Sequence, residues 1–130
     1  MNQDGKKRSV LLVDDDKFLL KMYKKKFESV MDKVEAAVGG EEALVKLREG
    51  FSPDIIMLDI IMPVMDGLEL LEIIRKEKLS PASTVIMLTN EDSRDKIEKS
   101  KSLGAKGYIV KATSIPSEVV EEALKIANIK

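Results

Sequence analysis

Val10-Leu11-Leu12-Val13-Asp14-Asp15-Asp16 is a four-residue apolar run closed by three acids, and the residues after it take up a helical spacing. A run that is apolar at every position, and not only at alternate ones, suits a strand buried on both faces. The same order of events recurs along the chain. Val34–Val38, Ile55–Leu58, Val85–Leu88 and Tyr108–Val110 are further short apolar or β-branched runs, each followed by polar residues or glycine and then by a helical stretch. The spacing predicts helices over residues 16–31, 40–49, 67–78, 93–103 and 116–127. Strand then helix, five times over, predicts an α/β fold with a parallel sheet covered by helices on both faces. The punctuation agrees. Pro116, preceded by Ser114 and Ile115, stands where a first helical turn tolerates a missing N–H, Gly104 follows the fourth helix where a left-handed cap is wanted, and Phe51-Ser52-Pro53 breaks the chain before the third strand.

The chain has 130 residues, about one domain's worth, and the reading is a single domain over 1–130 with its core at 7–128 and no internal linker. Its 22 Lys and Arg against 23 Asp and Glu leave a net charge of −1, which argues against direct nucleic-acid binding. Hydrophobic residues make up 44% of the chain and charged residues 35%, enough apolar matter to build a core. With neither Cys nor His, the sequence excludes a disulfide frame, a thiolate nucleophile, a zinc–thiolate site and a Ser–His pair. No apolar run approaches the ~20 residues that span a bilayer, and the opening MNQDGKKRS has no apolar signal core, so no membrane partner and a cytoplasmic location are expected.

In an open parallel sheet the binding crevice lies at the carboxyl ends of the strands. Asp14 and Asp15 end the first strand, Asp59 the third, Thr89 the fourth and Lys111 the fifth. Three carboxylates, a hydroxyl and an ammonium on one edge suit a hard divalent cation and a phosphoryl group, and Mg²⁺, which takes carboxylate and phosphate oxygens, is the cofactor expected. Each residue alone has a plainer reading. An acidic run after a strand is also what a solvated turn or helix cap looks like, and lone surface lysines and strand-end threonines are common. Asp59 resists that reading, because Ile60-Ile61-Met62-Pro63 is too apolar for an ordinary exposed turn.

These residues resemble the receiver domain of bacterial two-component response regulators, chemotaxis regulators among them. The resemblance covers about residues 7–128 and rests on LLVDDD at 11–16, DIIMLDIIMPVMDG at 54–67, VIMLTN at 85–90 and GYIVK at 107–111. The second stretch is the most specific: strand, Asp, three residues, Pro, two residues, Asp-Gly is the family's phosphorylation loop. The resemblance implies a flavodoxin-like, doubly wound sheet of order 2-1-3-4-5. It implies that Asp59 is the phosphoacceptor, and that Asp14, Asp15, Asp59 and the Ile61 carbonyl hold Mg²⁺. Lys111 would pair with the phosphoryl oxygens, Thr89 would move to bond one of them, and the Tyr108 rotamer would follow Thr89. The implied partners are a histidine kinase or histidine phosphotransfer protein as donor, a downstream protein target, and a second copy in a phosphorylation-dependent homodimer. The chain would then be a phosphoacceptor that assists its own phosphorylation and dephosphorylation, not a turnover enzyme. The runner-up readings are a receiver excised from a hybrid kinase or multidomain regulator and, from another class, a small Mg²⁺-dependent phosphatase.

The sequence departs from the family at Ala112, where Pro usually follows the lysine, and a trans Lys111–Ala112 bond is expected because a non-proline cis bond costs ~2.5–4 kcal/mol. Asn90 replaces the small residue common after the switch Thr and is expected to narrow the approach to the site. Ile61 and Glu91 occupy positions that tune phosphoryl lifetime in the family, with opposing expected effects; Ile61→Asn is expected to change the dephosphorylation rate. On the first helix, Asp16, Leu20, Tyr23 and Phe27 share a core stripe, leaving Phe18 and Met22 opposite as an exposed apolar pair. That pair is either part of a docking patch for the phosphohistidine partner or ordinary scattered exposure. Lys21, Lys24, Lys25 and Lys26 read first as a solvated face. The 93–103 helix is nearly all polar, with only Ile97 and Leu103 to anchor it, and is expected to be locally weak.

Overall fold

The computed structural model describes residues 7–129. Ten main elements alternate as the apolar runs predict: β1 (Ser9–Asp14), α1 (Lys17–Glu28), β2 (Lys33–Val38), α2 (Gly40–Arg48), β3 (Ile55–Leu58), α3 (Gly67–Lys76), β4 (Thr84–Thr89), α4 (Arg94–Ser102), β5 (Gly107–Val110) and α5 (Pro116–Ile126), with a short 3₁₀ turn at Lys111–Thr113. The strands form one parallel sheet in the order β2-β1-β3-β4-β5. No peptide bond among the described residues is cis, as expected for Lys111–Ala112.

Strand side chains point alternately to opposite faces, so each doubly buried strand splits between two cores. Leu11 and Val13, Ile56 and Leu58, and Val85 and Met87 meet α2 and α3 through Ala43, Leu44, Leu47, Leu70, Leu71 and Ile74. Val10 and Leu12, Ile55 and Met57, and Ile86 and Leu88 meet α1 and α5 through Leu20, Tyr23, Phe27, Val119, Val120 and Ala123. This is why the runs are continuous and not alternating: every apolar position of β1, β3 and β4 has a covering helix. The edge strand β2 is only partly buried.

Helix starts explain how the carboxyl edge stays orderly. Asp16 does not join the core stripe of α1; it is exposed and caps the helix, its Oδ1 accepting from the Phe18 and Leu19 N–H groups at 3.0 and 3.1 Å. A carboxylate there satisfies two of the four free N–H groups, which outweighs any gain from burying it. Asp66 and Glu69 form a reciprocal capping box at the head of α3. At α5, Pro116 takes the first turn and the Ile115 N–H donates to Glu118 at 3.0 Å.

At the amino edge of the sheet a set of neutral hydroxyls lies near Asp54, whose Oδ2 accepts from the Ser9 N–H at 2.9 Å and which pairs with Arg8 at 3.7 Å. Ser83 Oγ donates to the Pro53 carbonyl, which leaves Ser80 to donate to Ser83 and Ser52 to donate to Ser80 at 3.3 Å. α4 differs from the other helices in having Ser100 as its sole buried residue, as its polar sequence predicts. Ile97 is only half-buried, and Leu103 packs on the edge of the α2–α3 core. Arg75 of α3 reaches across to the end of α4, donating to the Leu103 carbonyl at 2.8 Å and the Gly104 carbonyl at 3.3 Å.

Candidate functional site: an acidic cleft at the carboxyl edge

Because all five strands run the same way, the residues that end them meet on one side. Parallel register places Asp14 and Asp59 on neighbouring strands, the Asp59 N–H donating to the Val13 carbonyl at 3.1 Å. Asp14, Asp15, Asp16, Leu19, Asp59, Ile61, Asn90, Glu91 and Lys111 line an open cleft of about 420 Å³. Asp14 and Asp59 are buried at its floor, 4% and 5% exposed, while Asp15 stands at the rim.

Lys111 supplies the local counter-charge. Its Nζ donates to Asp14 Oδ2 at 2.5 Å and to Asp59 Oδ2 at 2.9 Å, with the side chain only 9% exposed. Burial works against the ammonium, but the two carboxylates more than offset it and hold the Lys111 pKa above its ordinary value. Asp14 is pushed above the usual carboxylate range by burial, against the pull of Lys111 and the Asp16 N–H, which donates to its Oδ1 at 3.0 Å. Burying these charges is tolerable only with such partners.

One carboxylate oxygen from each of Asp14, Asp15 and Asp59 can be chosen so that all lie within 4.8 Å of one another. Three acids against one lysine leave the cluster net negative. An all-oxygen donor set with excess negative charge is what Mg²⁺ selects, so these residues fit the ion implied by their chemistry.

The loop after Asp59 is held by close backbone approach. Gly67 N–H donates to the Ile60 carbonyl at 2.8 Å, and a Cβ on Gly67 would overlap the Asp59 carbonyl. Only glycine lets the head of α3 press against the residue carrying the central carboxylate. Between them, Met65 N–H donates to Pro63 O at 2.8 Å around Val64, which has φ +69° and is 93% exposed. A β-branched residue in a positive-φ γ-turn is strained. The Ile61 N–H donates to Asp59 Oδ1 at 3.2 Å, and the Ile61 side chain projects outward, 52% exposed.

Thr89 and Tyr108 do not line the cleft. Thr89 is fully buried and its Oγ1 accepts from the Glu91 N–H at 3.1 Å; Tyr108 OH donates to the Glu91 carbonyl. Both therefore converge on the peptide groups of one residue. Phe18 is 71% exposed beside the cleft, but Met22 is half-buried, which corrects the expectation of an exposed pair. At 100° per residue, four residues carry Met22 about 40° past Phe18 around the helix, far enough for a long flexible side chain to lie back on the protein. Sequence reasoning missed the contact of Gly67 with Asp59, although the Asp66-Gly67 pair was its available signal, and missed Leu19 in the cleft wall.

The family model for the response regulator receiver domain matches residues 10–123. The chain is 34% identical over 110 residues to the chemotaxis protein CheY of Halobacterium salinarum, covering 85% of this chain and 89% of that one. It is 37% identical to a probable transcriptional regulator, ycf27, of Cyanidium caldarium, but spans only 43% of that longer protein. Among solved structures it is similar to the CheY-like receiver domain protein of Methanospirillum hungatei, with TM-score 0.84, 31% identity and 95% of each chain covered. The chemotaxis protein CheY4 of Vibrio cholerae superposes with TM-score 0.83 at 30% identity, over 93% of this chain and 99% of that one. Strand order, the acidic cleft and these matches lead to one assignment: the chain belongs to the response regulator receiver domain family.

Proposed function

We propose that this protein accepts a phosphoryl group on the Asp59 carboxylate from a partner's phosphohistidine, with Mg²⁺ held by Asp14, Asp15, Asp59 and the Ile61 carbonyl. The observation that carries the reading is the Lys111 ammonium lying between Asp14 and Asp59 at 2.5 and 2.9 Å. A buried carboxylate with a lysine and further acids beside it is arranged for phosphoryl transfer, which depends on positioning and charge neutralisation more than on covalent machinery. Asp59 attacks phosphorus, an O–P bond forms as the P–N bond of the donor breaks, and the leaving imidazole takes up a proton. When bound, the metal held by these residues would supply positive charge that offsets the negative charge of the carboxylates and of the incoming phosphoryl group. Lys111 pairs with the same oxygens and keeps its partners' charge from repelling them.

Thr89 reads the result. To bond a phosphoryl oxygen its hydroxyl leaves the Glu91 N–H, and the Glu91 carbonyl is the acceptor of Tyr108 OH, so the change passes from Thr89 to Tyr108 through one peptide segment. The surface of α4, β5 and α5 then presents the output to a downstream protein. The chain works as a cytoplasmic phosphoacceptor, not a turnover enzyme. Phe18, with the half-buried Met22 beside it, contributes to the donor's docking patch; replacing both by Ser weakens transfer from the partner while sparing a small phosphodonor, and equal loss in both removes the docking role.

Intact mass after incubation with acetyl phosphate and Mg²⁺ tests the chemistry. One phosphoryl group is expected on the wild type and none on Asp59→Asn or in the presence of chelator. An adduct that survives Asp59→Asn places the acceptor elsewhere.

A further inference from the structure

We propose that Asn90 is a positioning residue for Lys111: its carboxamide fixes the turn from which the lysine reaches the carboxylates. This deepens the phosphoacceptor reading and rests on it for its kinetic arm. The β4–β5 ladder ends at the pair Thr89↔Val110, so the chain segments carrying Asn90 and Lys111 leave the sheet side by side. Where the backbone ladder stops, Asn90 Oδ1 continues it, accepting from the Ala112 N–H at 2.7 Å. Beyond the ion pairs of Lys111 itself, the Lys111–Thr113 turn has little else to hold it. Its own bonds are long, Ser114 N–H to the Lys111 carbonyl and Thr113 Oγ1 to the Val110 carbonyl, both at 3.3 Å. Ala112 and Thr113 are exposed, so packing does not fix the turn either.

Lysine has a flexible four-carbon stem, and holding its ammonium on two acceptors depends on where that stem begins. Asn90 sets that origin. Because Asn90 directly follows Thr89, the same carboxamide joins the segment bearing the hydroxyl to the turn bearing the ammonium. Asn90 and Lys111 also line the same cleft.

Two measurements test the proposal. The first is spectroscopic: in wild-type protein the Ala112 amide exchanges slowly with solvent and couples through its hydrogen bond to the Asn90 carboxamide carbon. Asn90→Ala abolishes both, and shifts the Lys111 side-chain ε resonances. The second is a double-mutant cycle on the rate of phosphorylation by acetyl phosphate. Losing one hydrogen bond of this kind is expected to lower the saturated rate about fivefold in Asn90→Ala with little change in half-saturating donor concentration. Asn90→Asp, which keeps the acceptor oxygen, restores the slow exchange of the Ala112 amide. In a Lys111→Met background Asn90→Ala has no further effect. Equal slowing in both backgrounds, or unmoved Lys111 resonances in Asn90→Ala, overturns the proposal. If the wild type takes up no phosphoryl group, the phosphoacceptor reading fails, and the Lys111 resonances alone decide the positioning role.

Discussion

Two polar clusters at opposite edges of the sheet solve the same problem in opposite ways. At the amino edge, Ser52, Ser80, Ser83 and the Pro53 carbonyl form a directed chain of neutral hydrogen bonds in which each donor finds its acceptor. At the carboxyl edge, three carboxylates share the Lys111 ammonium, two of the acids buried and bonded to it directly. The first arrangement is complete in itself. The second keeps excess negative charge concentrated where the strands end, an excess that a bound cation would offset. The difference teaches where this fold gives up stability for function.

The sharpest way to break the contrast is to remove that cation. Lys111→Met leaves two buried carboxylates uncompensated and is expected to lower stability by about 3 kcal/mol at pH 7, read from urea midpoints. The pH dependence follows from the shifts. The folded pKa of Lys111 is raised, so its contribution is full below about pH 10.5 and is lost as pH rises through the higher folded value. The folded pKa of Asp14 is also raised, so its charged form is penalised above that value and protonation relieves the cost as pH falls through it. Wild type and variant should therefore converge in strong alkali and draw closer in acid, with the widest gap between; a gap independent of pH contradicts this account.

Smaller effects sharpen the comparison. Gly67→Ala drives a methyl into the Asp59 carbonyl and should cost about 2 kcal/mol, and because it displaces Asp59 it should slow phosphorylation as well. Ser83→Ala interrupts the hydroxyl chain at the far edge, leaving the Pro53 carbonyl without its donor, for about 1–2 kcal/mol. Phosphorylation should be untouched by that change. Asp15→Asn has the opposite sign: relieving like-charge repulsion at the exposed rim should stabilise the fold by about 0.5 kcal/mol at low salt while weakening Mg²⁺ binding. If Ser83→Ala and Asp15→Asn shift stability in the same direction, the contrast between the edges is wrong.

The legible part of the fold came from periodicity. Val10–Val13 and Ile55–Leu58 are continuous apolar runs because helices cover both faces, and that pattern on its own implies a parallel sheet. Asp14, Asp59 and Lys111 were legible for the same reason, since a residue directly after such a run must emerge at the carboxyl edge. Contacts between elements far apart in the chain left no such trace. The press of Gly67 on Asp59, the bond from Ala112 to Asn90 and the reach of Arg75 to Leu103 depend on loop paths, which have no period. Asp16 shows the limit of helical spacing: it has the register of a core residue, but a carboxylate beside unsatisfied N–H groups becomes a cap. Met22 shows another, because spacing assigns a face and not how a long side chain lies upon it.

The Arg75 guanidinium gives α4 a mechanical character. It clasps the carbonyls of Leu103 and Gly104, and the Ala105 N–H donates to the Ser100 carbonyl at 2.9 Å, so the carboxyl end of the helix is riveted to α3. The opposite end is held by the Ser93 N–H on Glu91 and a loose Lys96–Glu91 ion pair at 3.6 Å, both anchored on the residue that Thr89 and Tyr108 also engage. The helix is thus pinned at Leu103, tied to α3 at mid-length by the Lys99–Glu72 ion pair at 2.7 Å, and held at its amino end through Glu91. A displacement of Glu91 is felt most at the amino end and dies away towards Leu103, and amide exchange should run fastest near Asp95 and slow steadily towards Leu103.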